Sequence, residues 1–250
     1  MKLKVSVVVV HWNTPDLLRK LLKSLEAKNN LQISVIDNHS DKSVEWLKKE
    51  FPEINLIQNK KNVGYAKACN QGARRSNGKW LVFLNPDVLI TAREIQTMIE
   101  TAEKQQLDAF SPNPFDPVYK KPLPSGFSLL VEFTPLKYLI PLSIFSKRTL
   151  TGGLLFIRKE VFKKLGGWDE RFFLWFEDSD LSKRLYDAEY RVGWIPARVE
   201  HVGGVSLRKL SQKEQRKLFF SSMGTYADKY FRLWGRIVVK IIQSRFLPKN

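Results

Sequence analysis

The first hundred residues alternate between two hydrophobic periods. "KVSVVVVHWN" is almost continuously apolar until His11, which predicts a buried strand. "TPDLLRKLLKSLE" then sets Leu17, Leu18, Leu21, Leu22 and Leu25 at helical spacing, with Thr14 as N-cap and Pro15 at the first helical position. The alternation repeats with "QISVIDN" as a strand, "DKSVEWLKKE" as a short helix and "INLIQN" as a third strand. It continues with "GYAKACNQGARRS" as a helix closed by Asn77-Gly78 and "KWLVFLNPD" as a fourth strand. "TAREIQTMIETAEKQ" is the next helix, where Thr91 and Glu94 form a capping box. Buried strands alternating with amphipathic helices predict βαβ units and a largely parallel, Rossmann-like α/β sheet.

The pattern breaks near Phe110. Residues 112–150 hold seven of the twelve prolines among bulky apolar side chains, which predicts an irregular excursion. Regular elements resume with "TGGLLFIRK" as a strand, then "KEVFKKLGG" and "DSDLSKRLYDAEY" as helices. "RVGWIPARVEHVGG" reads as short extended pieces. From Ser211 the tail is expected to be helical, interrupted or bent near Gly224 and Gly235. The simplest division is a catalytic-sized domain over 1–206 and a basic amphipathic extension over 207–250.

Composition narrows the class. The 250 residues are 43% hydrophobic and 27% charged, ordinary for a folded chain with a real core. The one cysteine, Cys69, excludes an internal disulfide framework and a cysteine-rich zinc site, and suits a reducing, cytoplasmic compartment. No leader is expected, because the early apolar run is short and polar residues follow it at once. The formal charge is +17, and Val205–Asn250 alone carries 11 Lys/Arg against 2 Asp/Glu. Such a field attracts phosphates, whether of nucleic acid, anionic lipid or a diphosphate substrate.

Against that charge, two groups of acids stand out. Ligands in open α/β sheets collect at the carboxyl ends of the strands. Those ends carry Trp12-Asn13, Asp37-Asn38-His39-Ser40, Asn59 and Asn85-Pro86-Asp87. Asn85 and Asp87 could offer oxygens to a hard divalent cation, and the same three residues read equally as a turn. The second group is "FFLWFEDSDLSKRL", where Glu177, Asp178 and Asp180 open a helix behind four aromatics. The helix dipole favours their ionised form and the aromatic surroundings oppose it, which suits a general base. Helix capping, with Asp178 as N-cap and Asp180 in the first turn, is the competing explanation. No G-x-G-x-x-G, P-loop or G-x-S-x-G elbow is present, so dinucleotide binding, P-loop chemistry and a serine triad lack their motifs.

From Val5 to Ser206 the chain resembles the inverting nucleotide-sugar glycosyltransferases of family 2, of GT-A fold, and most of all their rhamnosyltransferase-like branch. The resemblance rests on "VSVVVVHWN", "VIDNHSDKS", "NVGYAKACNQGARRSNGKWLVFLNPD", "TGGLLFIRKEVFKKLGGWDERFFLWFEDSDLSKRL" and "HVGGVS". It implies a nucleotide-sugar site drawn from Asn13, Asp37, Asn38, Ser40, Asn62, Gly64, Tyr65 and Asn85. Asp37 would accept from the base, and amides at the start of the Asn62–Ala66 helix would face the donor. Asp87 would be the metal-binding acid, with Asn85 in place of the first aspartate of the family motif, and His201 would complete the shell around Mg2+ or Mn2+. Asp178 would be the base, with Glu177 and Trp175 at the acceptor.

The resemblance further implies a hexosyl transfer, with L-rhamnose from a dTDP donor as the expected case. The acceptor would be a glycan or a polyprenyl-diphosphate sugar in cell-surface polysaccharide synthesis. A nucleotidyltransferase on a similar sheet is the alternative enzyme, but it would be expected to carry a glycine-rich loop where His11-Trp12-Asn13 stands. A basic binding module is the non-enzymatic alternative. A nucleic-acid partner is not expected, since the excess charge lies in the tail and Asp87 and Asp178 would be idle. Within the tail, Phe219, Met223, Tyr226, Tyr230, Trp234, Ile237 and Ile241 form an apolar stripe beside basic Lys229, Arg232, Arg236 and Lys240. That pattern fits a helix on the cytoplasmic face of the inner membrane, or equally a helix packed on its own domain.

Overall fold

A computed structural model describes residues 5–25, 31–113, 121–197, 199–201 and 207–247. Its centre is a seven-stranded sheet. The first half supplies β1 (Val5–His11), α1 (Pro15–Leu25), β2 (Leu31–Asp37), α2 (Trp46–Glu50), β3 (Asn55–Gln58), α3 (Tyr65–Arg74), β4 (Trp80–Leu84), β5 (Val88–Leu89) and α4 (Ala92–Lys104). The second half supplies β6 (Ala109–Asn113), α5 (Gly126–Glu132), β7 (Leu154–Arg158), α6 (Lys159–Lys164), α7 (Glu177–Asp187), β8 (Val192–Pro196) and β9 (Glu200–His201). The helices α8 (Gln212–Tyr230) and α9 (Leu233–Phe246) follow.

The sheet order is β3-β2-β1-β4-β7-β6-β8, and a separate ladder pairs β5 with β9. The parallel expectation holds for six strands; β7 alone runs antiparallel to both neighbours, β4 and β6. Successive residues of a strand point to opposite faces, so β1 feeds two cores at once. Val5, Val7 and Val9 pack with α1 and α4 through Leu18, Leu22, Ile95 and Ile99. Val8 and Val10 pack on the other face with Ala66, Cys69, Phe162 and Leu181 of α3, α6 and α7. Each fully buried leucine or isoleucine there contributes about 1.5–3 kcal/mol of apolar transfer free energy. The Thr91–Glu94 capping box forms as expected.

The tail differs from its expected form. It is a helical hairpin, and its break falls at Phe231-Arg232. Gly224 and Gly235 lie inside α8 and α9, where added methyl groups would meet Gln243 and Phe231. The apolar stripe therefore divides. Met223 and Tyr226 are buried against Phe172, Phe176 and Leu129, whereas Trp234, Ile237 and Ile241 are exposed. The basic stripe divides too. Lys229 Nζ lies 2.7 Å from Asp169 Oδ2 and 2.5 Å from Asp180 Oδ1, and Arg236 donates to the carbonyls of Phe231 and Asp228 at the end of α8.

Asp180, 0% exposed, also accepts from Tyr230 Oη at 2.7 Å and from Arg184 Nε at 2.8 Å. Asp180→Ala should cost about 3–5 kcal/mol, the range for stripping one member from a buried ionic group. Lys229→Met should cost less, because Arg184 and Tyr230 remain. Urea unfolding midpoints measure both, and a loss under about 0.5 kcal/mol for Asp180→Ala would deny the clamp.

Candidate active site

Four loops converge at the carboxyl ends of the strands, and hydrogen bonds tie them in sequence. After β1, Asn13 adopts a left-handed φ of 56°, and after β2 His39 does the same at 69°. Asn13 N–H donates to Ser40 Oγ at 2.8 Å, and Asp41 N–H donates to Asn13 Oδ1 at 2.7 Å. A cleft of about 380 Å³ opens there, lined by His11, Asn13, Thr14, Ser40 and Lys209 among others. Buried at the end of β2, Asp37 has an Oδ1 with no hydrogen-bond partner. His11 is held near a pKa of about 4, first by burial and against the opposing charge of Asp37.

Asn38 ties the neighbouring loops together. Its Nδ2 donates to Asn62 Oδ1 at 2.8 Å, while its Oδ1 accepts from Val63 N–H and Asn59 Nδ2, both at 3.1 Å. Both ends of the amide are engaged, so Asn38 joins the β2, β3 and α3 loops. The start of α3 is likewise occupied. Val63 N–H bonds to Asn38 Oδ1, Gly64 N–H to Asn62 Oδ1 at 3.0 Å, and Tyr65 N–H to the Phe173 carbonyl at 2.7 Å. These three amides bond within the protein. Gly64 has a φ of 85°, and an added Cβ would sit 2.7 Å from the Phe173 carbonyl oxygen, so only glycine fits.

Tyr65 Oη reaches across to the Gly152 carbonyl at 2.8 Å. Gly152 and Gly153 form the junction of the site. A Cβ on Gly152 would lie 3.3 Å from Asp178 Cβ, and one on Gly153 would lie 2.9 Å from Asn85 Nδ2. Asn85 N–H also bonds to the Gly153 carbonyl at 2.9 Å. Two hydrogen atoms in place of side chains thus bring the β4 turn and the start of α7 against one two-residue step. Asp87 is buried two residues beyond Asn85. His201 pairs through its backbone with Val88 in the β5–β9 ladder; its side chain and residues 202–206 of "HVGGVS" lie outside the described residues. No group of three metal-binding side chains gathers among the described residues.

Trp175 and Phe176 precede α7 with left-handed φ of 65° and 64°, a conformation that costs of order 1–3 kcal/mol per residue. It turns the chain so that Phe172 and Phe176 enter the core while Glu177 and Asp178 begin the helix. Phe176 holds the N-cap place, so Asp178 is not the cap. Trp175 is half-buried, edge-on to Phe219 at 5.8 Å between centroids. Glu177 is buried, and its Oε2 has no hydrogen-bond partner. Burial first, then the charge of Asp178, raises its pKa to about 8. Asp178 is also raised by burial, against Lys121 and a 2.7 Å bond from Ser179 N–H. The two carboxyls therefore titrate as one interacting pair.

Sequence reasoning missed Lys209, counted only as tail charge, and Lys121, hidden in the proline-rich excursion. Nothing local marks Gly152-Gly153 as part of the site. Burial of Asn38 and pairing of Lys229 have no local signal.

Residues 6–166, well over half the chain, match the family described as Glycosyl transferase family 2. The chain belongs to glycosyl transferase family 2. A second match, to the N-terminal domain of galactosyltransferase, covers residues 143–206. An N-acetylglucosaminyl-diphospho-decaprenol L-rhamnosyltransferase of Mycobacterium tuberculosis is 27% identical, covering 76% of this chain and 73% of the relative. Rhamnosyltransferase WbbL of Escherichia coli is 25% identical, over 77% of this chain and 81% of the relative. An uncharacterized glycosyltransferase of Haemophilus influenzae is 27% identical over 65% of this chain, which spans only 55% of that relative.

Among solved structures, GalNAc-T7 with UDP, GalNAc and Mn2+ superposes with a TM-score of 0.70 at 18% identity, covering 98% of this chain and 52% of that one. Mannosyltransferase PcManGT from Pyrobaculum calidifontis, in complex with GDP-Man and Mn2+, gives 0.62 at 16% identity, covering 98% and 75%. The fold is GT-A. The family match leaves the nucleotidyltransferase and binding-module alternatives without support.

Removing the neighbouring charge should lower Glu177 without returning it to an ordinary value, because burial remains the larger cause. Asp178→Asn should therefore move the Glu177 titration down from about 8 while keeping it above about 4.3. Carboxyl ¹³C NMR of glutamate-labelled protein measures this; an unmoved titration would deny the coupling.

Proposed function

We propose that this protein transfers a hexose from a nucleotide-sugar to an acceptor hydroxyl with inversion, using Asp178 as the base. The observation that carries the reading is the Gly152–Gly153 step, with Asn85 against one residue and Asp178 against the other. A donor seated at the strand ends would present its anomeric carbon across that step. Asp178 then removes the acceptor proton as the acceptor oxygen bonds to that carbon, and the bond to the diphosphate oxygen breaks. The proton stays on Asp178, and the negative charge leaves with the nucleotide. Glu177, protonated at neutral pH, holds the acceptor by hydrogen bonding, and Trp175 offers it an apolar ring face.

On the donor side, the orphan Oδ1 of Asp37 suits an N–H of the base, and Asn13 and Ser40 line the adjoining cleft. Lys209 supplies positive charge there. The structure fits a divalent cation in one respect: Asp87 is a buried hard-oxygen donor, one residue from the Val88–His201 pair. Asp87 and His201 would hold Mg2+ or Mn2+, which when bound stabilises charge on the departing diphosphate.

The name of the M. tuberculosis relative supports L-rhamnose as the sugar, and that of the E. coli relative supports rhamnosyl transfer; a dTDP donor is part of the same proposal. The first name also supports a polyprenyl-diphosphate sugar as acceptor, and a 24% identical O-antigen biosynthesis protein of Myxococcus xanthus supports a place in cell-surface polysaccharide synthesis. We assign the transferase to residues 1–206 and read 207–250 as an extension that braces it.

Incubation with a panel of nucleotide-sugars and lipid-linked acceptor, with product stereochemistry read by NMR, tests the reading. Asp178→Asn should lower kcat by about 10²–10⁴ with little change in donor affinity, and Glu177→Gln should lower it less. Chelator or Asp87→Ala should abolish transfer, with Mn2+ restoring only the chelated enzyme. A product of retained configuration, or an Asp178→Asn enzyme of full activity, would overturn the assignment.

A further inference from the structure

The tail's exposed half meets a second exposed apolar surface. Among the described residues, eight of the nine large hydrophobic side chains left exposed lie in two stretches, 127–144 and 233–241. The stretches are far apart in sequence but pack together. Gly126, at the start of α5, lies under the Trp234 ring and beside Gly235, so that a Cβ there would meet the ring at 2.8 Å. One side of the surface is formed by two short 3-10 turns after α5, Pro135–Tyr138 and Leu142–Ile144. Tyr138 is 81% exposed, Leu139 79% and Ile144 57%. The outer face of α9 forms the other, with Leu233 76% exposed, Trp234 53% and Ile241 61%.

Charge says what covers this surface. No acidic residue occurs between Phe133 and Lys159, and none from Lys229 to Asn250. Exposed Lys137, Lys147, Arg232 and Lys240 stand among or beside the apolar side chains. Contiguous apolar patches on soluble surfaces mark interaction sites, and one whose turns and helix carry cations and no acid matches an anionic, apolar-cored partner. An aromatic and aliphatic face with basic neighbours is the composition of interfacial membrane elements. Spanning is excluded for α9: at 1.5 Å per residue its 14 residues reach about 21 Å, against a hydrocarbon core of about 30 Å. No described helix is long and apolar enough to cross a membrane.

We propose that the joint face of the 3-10 turns and α9 docks on an anionic lipid bilayer. The turns and α9 enter the interface, and the cations meet lipid phosphates. The site differs from the single amphipathic stripe expected from the sequence, because Met223 and Tyr226 of that stripe are buried and Lys229 is paired with Asp169 and Asp180. Leu129 of α5 and Val239 of α9 share one apolar cluster with Phe176, so the docked face is packed onto the residue that leads into Glu177 and Asp178.

Flotation of the purified full chain with vesicles of phosphatidylglycerol and phosphatidylethanolamine, or of phosphatidylcholine alone, tests this directly and needs no transferase activity. Its outcome is therefore separate from that of the proposed reaction. Binding should require the anionic lipid and weaken with salt. Each cation contributes roughly five-fold near a charged surface, so replacing Lys137, Lys147, Arg232 and Lys240 with glutamine should lower partitioning by about 10²–10³-fold. The pair Leu139→Glu and Ile241→Glu should abolish it, while far-UV circular dichroism shows both proteins folded. Absence of vesicle binding, or binding indifferent to both sets of substitutions, would overturn the proposal. So would a dimer in sedimentation equilibrium that the Leu139→Glu/Ile241→Glu pair dissociates, since a second copy would then cover the face.

Discussion

Asp180 is fully buried, and its two oxygens bond to Arg184, Lys229 and Tyr230. Withdrawing an ionised carboxylate from water costs several kcal/mol, and only close, well-shaped partners offset that cost. Arg184 comes from the same helix, one turn on, but Lys229 and Tyr230 come from the last turn of α8. Helix α7 can therefore bury its inner face only when the tail is in place. Lys229 extends the link to Asp169, whose carboxyl, despite the opposing effect of burial, is held below the usual range by Arg171 and Lys229. The loop before the aromatic run, the helix that carries Glu177 and Asp178, and the tail are one electrostatic unit.

A second constraint is steric. The acids and the β4 turn approach each other across Gly152-Gly153, where side chains would collide with Asp178 and Asn85. Thr149 and Leu150 meet the same helix through Ser179 Oγ and Ser182 Oγ, so the segment leading into that step is held along α7. Left-handed φ angles at Asn13, His39, Trp175 and Phe176 all fall in the loops of this rim. The other two such non-glycine residues among the described ones, Gln106 and Glu189, follow helix ends, where that conformation is ordinary. Strain is thus concentrated where loops must be aimed, and the buried sheet beneath keeps them there.

What the sequence revealed follows from how local each signal is. β1, α1, β4 and α4 were legible because one hydrophobic period dictates each, and the Thr91–Glu94 box spans only four residues. The reversal of β7 was not legible, since its strand pattern is the same in either direction and only its neighbours decide it. Gly224 and Gly235 suggested breaks, yet each sits at a tight contact between packed helices, and the chain turns at Phe231 instead. Asp178 and Asp37 could be picked out as acids at element ends. Asn38 drew attention for the same reason, but its partners, Asn59, Asn62 and Val63, engage its whole amide. Lys229 looked like one cation in a stripe because its partner lies 49 residues away, and no periodicity carries that information.

The tail also bears on the chemistry of the acids. Glu177 is raised mainly by burial and by Asp178, and Asp180 adds to the repulsion. Two cations stand against the charge of Asp180, Arg184 at 2.7 Å and Lys229 at 2.5 Å. Removing Lys229 would leave Asp180 less neutralised and increase the field at Glu177, one turn back along the same helix. Coulomb energy between unit charges at such separations is of order kcal/mol even at an effective dielectric near 20. The last turn of α8 thus stands against the acid whose charge, after burial and Asp178, adds to the repulsion on Glu177. A tail that seemed, by composition, to be an appendage of positive charge is a component of the acid pair's environment.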